Sequence, residues 1–112
     1  ARVTGGAVQG TQIETTAGKL LRVGSFGLGA VAPTLADLEK TDNSIAPGFY
    51  GVSSGTAGKP AGVSSGCLLH IRRASGGGEI QLLGCDSGTL AGHLLFRARN
   101  TTAWLDWKQI TA

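Results

Sequence analysis

Apolar and polar residues alternate through the second half of the chain in short runs separated by Gly, Ser and Thr, and this period of two predicts strands. The runs are Phe49-Tyr50-Gly51-Val52-Ser53, Cys67 to Arg73, Glu79 to Cys85, His93 to Arg99, and a short one from Trp107 to Ile110. The clearest local feature is a hairpin in which Cys67–Arg73 folds back through the glycine loop Ala74-Ser75-Gly76-Gly77-Gly78 onto Glu79–Cys85. Setting Arg73 opposite Glu79 also sets Cys67 opposite Cys85. Ile71 and Leu69 then share one face with Gln81 and Leu83, and Leu68, His70 and Arg72 share the other with Ile80, Leu82 and Gly84. Both faces are partly apolar, which fits a sheet covered by its own chain on one side and by a loop or another subunit on the other.

The first part of the chain reads differently. Gly5-Gly6, Gly10, Gly18, Gly24, Gly27 and Gly29 interrupt brief β-favouring runs such as Lys19-Leu20-Leu21-Arg22-Val23. Strands this short and broken do not build a globule alone, but copies wound around one another would give each apolar run a buried face. Pro33-Thr34-Leu35-Ala36-Asp37-Leu38-Glu39-Lys40 has a helical flavour, with Thr34 as N-cap and Leu35 and Leu38 spaced by three, and predicts a short helical turn. Thr41-Asp42-Asn43-Ser44 follows as a polar loop, and Pro47-Gly48 announces a turn into the first strand. The expected organisation is a shaft or connector over residues 1–43 and a β-rich knob over residues 44–112. The fold class is mainly β, a glycine-rich intertwined segment followed by a small antiparallel knob.

Composition pushes this picture towards assembly. Of 112 residues 19 are Gly and only 5% are aromatic, so ordering the backbone is costly and one copy has little with which to build a core. The net charge of +3 is spread along the chain without a polybasic run or interleaved aromatics, and nucleic acid is not an expected partner. It does suit attraction to anionic surfaces. No stretch is apolar for long enough to cross a bilayer as a helix. The opening residues Ala1-Arg2-Val3-Thr4 start in mid-pattern, as a fragment of something longer would.

Catalytic and metal chemistry find little purchase. Cys67 and Cys85 form either a cross-strand disulfide or a pair of small buried thiols; with only His70 and His93 to add, and no CxxC, no metal site is expected. Gly27-Leu28-Gly29-Ala30-Val31-Ala32 matches GxGxxA, but Pro33 follows at once and no helix is available to receive a pyrophosphate, so no nucleotide cofactor is expected. The carboxylates Glu14, Asp37, Glu39, Asp42, Glu79, Asp86 and Asp106 show no spacing that marks an acid and base pair, and no GxSxG elbow accompanies the serines. Asn100-Thr101-Thr102 has the form of a glycosylation sequon. The expectation is a protein that binds and does not catalyse, without cofactor.

The C-terminal run places Trp104 and Trp107 three apart, just after Arg97 and Arg99. Large aromatics here serve as core, as stackers for the apolar face of a sugar, or as one of each. At least one indole is expected inside and the other at a rim. Together, Gly48-Phe49-Tyr50, Pro60, Leu68-Leu69-His70-Ile71, Gln81, Phe96-Arg97 and Trp104-Leu105-Asp106-Trp107 occur in an order that resembles the knob domains of R-type pyocin tail fibres and related phage tail fibres. The resemblance covers residues 44–112, and Leu20 to Gly29 looks like tail-fibre connector sequence. Cys67, Cys85 and the glycine loop at 74–78 depart from the family's pattern.

The resemblance implies a homotrimer at the virion tail that binds a bacterial surface polysaccharide or outer-membrane receptor during host adsorption, alongside other tail proteins. Trimers and clustered fibres turn weak contacts into firm attachment. Residues expected near loop tips and strand ends, as stackers and donors to a glycan, are Tyr50, Lys59, Arg72, Arg73, Arg97, Arg99 and Trp104. Two other roles stay open: a structural trimerisation or adaptor module, and a polysaccharide-degrading fibre domain.

Overall fold

The structure is a computed structural model that describes residues 8–42, 44–74, 77–100 and 103–111. Gly5-Gly6, the Ser75-Gly76 part of the glycine loop and the Thr101-Thr102 part of the sequon lie outside the described residues. The fold is mainly β, with five strands: β1 Gly48–Val52, β2 Ser65–Ala74, β3 Gly77–Ser87, β4 Leu94–Arg99 and β5 Lys108–Gln109. They form one open antiparallel sheet in sequential order, β1-β2-β3-β4-β5. All five lie within two residues of the runs that alternation predicts, with β2 beginning two residues early and β3 two residues longer at each end.

The register of the central hairpin differs from the expected one by a single residue. Arg72 pairs with Glu79, Cys67 with Gly84, and Ala74 with Gly77. Strand pairing therefore continues into the glycine loop, and a bulge at Ser65/Gly66 absorbs the offset at the other end. Because side chains alternate, a slip of one exchanges the faces of one strand relative to the other. Cys67 and Cys85 consequently fall on opposite faces as free thiols, Cys67 exposed and Cys85 buried, and the cross-strand pair is corrected to two separate cysteines.

Gly66 holds this arrangement. A Cβ placed there would lie 2.3 Å from the Gly84 carbonyl oxygen, so only glycine allows the bulge to close on β3. Gly66→Ala is expected to lower stability by roughly 1–3 kcal/mol, read as a lower urea midpoint, whereas Gly92→Ala, whose added Cβ meets open space, should cost only the strain of its φ of 87°.

One sheet face is covered by the chain itself. Tyr50, Leu68, Leu83 and Leu95 align across four strands and pack with Leu38, Ile45, Val52, Val63 and Cys85 as the core, flanked by Leu35, Leu90 and Trp107. The covering segment 33–38 is not helical: Gly51 N–H donates to the Pro33 carbonyl at 2.8 Å and Leu35 N–H to the Gly51 carbonyl at 3.0 Å, so its backbone groups are spent alongside β1. The short helical turn falls instead at Ser25–Gly27, a 3-10 turn. Leu38, fully buried, anchors this segment in the core.

Upstream, amide and hydroxyl groups hold the backbone where apolar packing is missing. Gln9 donates to the Glu14 carbonyl at 2.8 Å and accepts from the buried Ser25 hydroxyl. Gln12 reaches the carbonyls of Gly24 at 2.9 Å and Val31 at 3.1 Å. Meanwhile Leu20, Leu21, Val23, Leu28 and Val31 are all exposed. The radius of gyration, 15.2 Å, exceeds the roughly 13 Å of a compact domain of this length.

Candidate functional site

Beyond the row of Tyr50, Leu68, Leu83 and Leu95, the covered face becomes polar while staying buried. The next row is His70, Gln81 and Arg97, and the one after it Arg72, Glu79 and Arg99. His70, Gln81, Glu79, Arg97 and Arg99 are all at most 3% exposed. Burying such groups is tolerated because they largely satisfy one another, although His70 Nε2 is buried without a hydrogen-bond partner. Glu79 faces Arg99 through contacts of 3.0 and 3.2 Å, with Arg72 at 3.6 Å and His70 at 3.8 Å. The Arg97 Nε donates to Gln81 Oε1 at 2.8 Å and its Nη2 to the Leu38 carbonyl at 2.8 Å. Gln81 in turn donates to the Leu38 carbonyl at 3.0 Å and lies 3.3 Å from His70 Nδ1.

Since the amide is the donor at that last contact, His70 Nδ1 accepts and the ring proton resides on Nε2, towards Glu79. Burial pushes the His70 pKa down to about 4, partly opposed by Glu79. Burial likewise lowers Arg97 to about 10, which leaves it charged at neutral pH.

The tryptophans close this polar ladder from outside. After β4 the chain doubles back, with Trp104 bridging to Arg99 and Leu105 N–H donating to the Ala98 carbonyl at 3.0 Å. The Arg97 guanidinium lies 4.4 Å from the ring centres of both Trp104 and Trp107. Trp104 also meets His70 edge-on at 6.1 Å and donates its N–H to the Lys40 carbonyl at 3.3 Å. Both indoles are half-buried, Trp107 packed against the core and Trp104 at the rim, so neither is fully inside. Outside them lies a cleft of about 340 Å³ lined by Glu39, Thr41, Leu105 and Asp106 together with the stack.

Searches against protein-family models, curated proteins and solved structures found no match for this chain.

The residues expected to contact a glycan are dispersed. Tyr50 is buried, with its hydroxyl donated to the Ala46 carbonyl, and burial raises its pKa. Lys59 clamps its own loop through the carbonyls of Ser54 at 2.9 Å and Thr56 at 2.5 Å. Arg72 donates to the Ile45 carbonyl at 2.9 Å. Arg97 and Arg99 sit in the ladder, Arg73 is exposed on the other face, and of the set Arg97 and Trp104 line the cleft. Sequence reasoning did not single out Glu39, Thr41 and Asp106 as groups that meet there. Their clue was weak: Asp106 lies between the tryptophans, but Glu39 and Thr41 come from a segment more than sixty residues away, and only the fold joins them. Among the described residues no group of His, Cys, Asp and Glu is arranged to hold a metal ion.

The opposite face of the sheet is a second surface. Phe49, Leu69, Leu82 and Phe96 align across it, with Ile71, Ile80 and Ala98 in the next row and Cys67, Gly84 and Leu94 on the other side. A groove of about 600 Å³ separates this face from the segment around Val31 and Ala32. Phe49, Ile71 and Leu94 are exposed and the other large apolar residues half-buried.

Proposed function

We propose that this chain is the tip of a phage or phage-like tail fibre, a homotrimer that attaches the particle to a bacterial surface glycan and works by binding without catalysis. The observation that carries the reading is the open apolar sheet face. A row of Phe49, Leu69, Leu82 and Phe96 facing water is the kind of contiguous apolar patch that marks an interaction surface. The middle of that face bears no charged side chain, with Arg73 at its margin and Lys108 beside Phe96 on the edge strand, so copies can meet across Leu69 and Leu82 without burying a charge. Three such faces turned towards a common axis enclose a core that one copy lacks. The intertwined shaft over residues 1–43 belongs to the same proposal, supported by the exposed Leu20, Leu21 and Val23. The order of motifs shared with tail-fibre knobs supports the attachment role.

Light scattering of the chain should give three times the monomer mass. Leu82→Glu places a charge in the middle of the face and is expected to yield monomers that no longer adsorb to cells. Cys67, exposed on the same face, should react with a maleimide at least tenfold faster in that variant. A wild-type monomer with freely reactive Cys67 would reject the assembly. A second reading, a structural cap joining the fibre to other tail proteins, is favoured by the exposed upstream leucines; it predicts lost fibre assembly, and not merely lost adsorption, when residues 44–112 are removed.

A further inference from the structure

We infer that the cleft outside Trp104 is a sugar-binding subsite selective for an uncharged hexopyranose. This rests on the attachment reading and gives it a location and a ligand class. The arginines that would suit an acidic glycan are already engaged: Arg97 lines the cleft but is committed to Gln81 and the Leu38 carbonyl, and Arg99 contacts Glu79. What the cleft offers instead is Glu39, with 62% of its side chain exposed, Asp106, the Thr41 hydroxyl, and apolar surface from Trp104 and the 62% exposed Leu105.

That set matches the two sides of a neutral pyranose. Its C–H face packs on an indole edge and a leucine, and its hydroxyls donate to carboxylates, the stronger class of acceptor. An acidic sugar would meet two like charges, with the Arg97 cation in the cleft wall already engaged, and this repulsion favours the neutral sugar. A free cation is disfavoured because Arg97 already occupies the π-face of both indoles at 4.4 Å and lies 3.9 Å from Glu39. The platform is rigid before ligand arrives, since Trp104 is fixed by Arg97, His70 and the Lys40 carbonyl, so little ordering entropy is lost on binding. The volume, about 340 Å³, is at the small end of small-molecule sites. Neither carboxylate is sunk in apolar surroundings as a glycosidic proton donor would be, which fits retention of an intact glycan.

Titration of the full chain is followed by the indole N–H signals of its two tryptophans in nitrogen-15 NMR spectra, with maltotetraose, mannotetraose and galactotetraose as neutral probes and tetragalacturonate as the acidic one. The expected result is a saturable shift of the Trp104 signal with at least one neutral probe, at least tenfold weaker for tetragalacturonate. Asp106→Lys and Thr41→Trp, both at exposed positions, should each weaken it at least tenfold while leaving the melting temperature unchanged. No saturable shift with any neutral probe, a preference for the uronate, or cleavage of a probe overturns the assignment. Adsorption to bacteria is measured in parallel. Wild-type adsorption that survives both substitutions places the receptor site elsewhere and leaves the attachment reading standing; absence of wild-type adsorption to any strain sinks that reading, while the titration still decides the cleft.

Discussion

Replacing Glu79 by alanine should cost about 3–5 kcal/mol of stability, the largest single-residue loss expected in this chain. Its carboxylate is 2% exposed and is the shared counter-ion of Arg99 and Arg72, with His70 beside it. Removing it takes from Arg99, itself 3% exposed, the carboxylate that it contacts at 3.0 and 3.2 Å. The melting temperature should fall on the order of 10–20 °C. Exchanging both partners separates the value of the pair from the penalty of leaving one charge behind: Glu79→Leu with Arg99→Met should recover most of the loss, because an apolar pair of similar size replaces the ion pair. If the double variant is as unstable as Glu79→Ala, the buried ion pair is not what the single substitution exposes.

The second large effect is a loss of stability on mild acidification. His70 titrates near 6.5 when unfolded and is held down to about 4 in the fold. Between those values the unfolded chain binds more protons, so unfolding grows easier as pH falls through this window, and His70's contribution is fully present above pH 6.5. The full shift corresponds to about 3 kcal/mol at most. The groups around the ring are Glu79, which favours its protonation, and Arg72, Arg97 and Arg99, which oppose it. Urea midpoints at pH 7 and pH 4.5 should therefore differ strongly for the wild type and much less for His70→Gln. Equal slopes for both would assign the acid sensitivity to carboxylates elsewhere.

Strand positions were legible because β2 to β4 are short apolar-rich runs bounded by Gly and Ser. The register was not, since a shift of one residue leaves both faces of the hairpin partly apolar. Its decision lay in a backbone contact, Gly66 against Gly84, that no side-chain pattern displays. The greater surprise is which face is covered. Charged residues ordinarily mark the wet side of a sheet, yet Glu79, Gln81, Arg97 and Arg99 lie inside, while Ile80, Leu82, Phe96 and Ala98 line the open face. The residues did carry a hint, because an acid on β3 and two arginines on β4 have the same alternation as the hydrophobic residues between them. Reading it required knowing that Trp104 and Trp107 fold back over that face. The rim of the cleft was least legible, since Glu39 and Asp106 are brought together only by the path of residues 33–41 across the core.

The two borders of the sheet set how copies of this chain can grow together. On one side the segment through Thr34 lies along β1, bridging to Gly51; on the other, β5 offers only Lys108 and Gln109 beside β4. Neither border presents a long, free ladder of backbone donors and acceptors, and lysine on an edge strand discourages further pairing. In the proposed assembly, contact between copies would be steered away from strand-on-strand addition, which has no natural end and leads to filaments, and towards the apolar face, where a closed ring of a few copies would use up the available surface. Under that proposal a glycine-rich chain would be sticky enough to assemble and still stop at a finite particle.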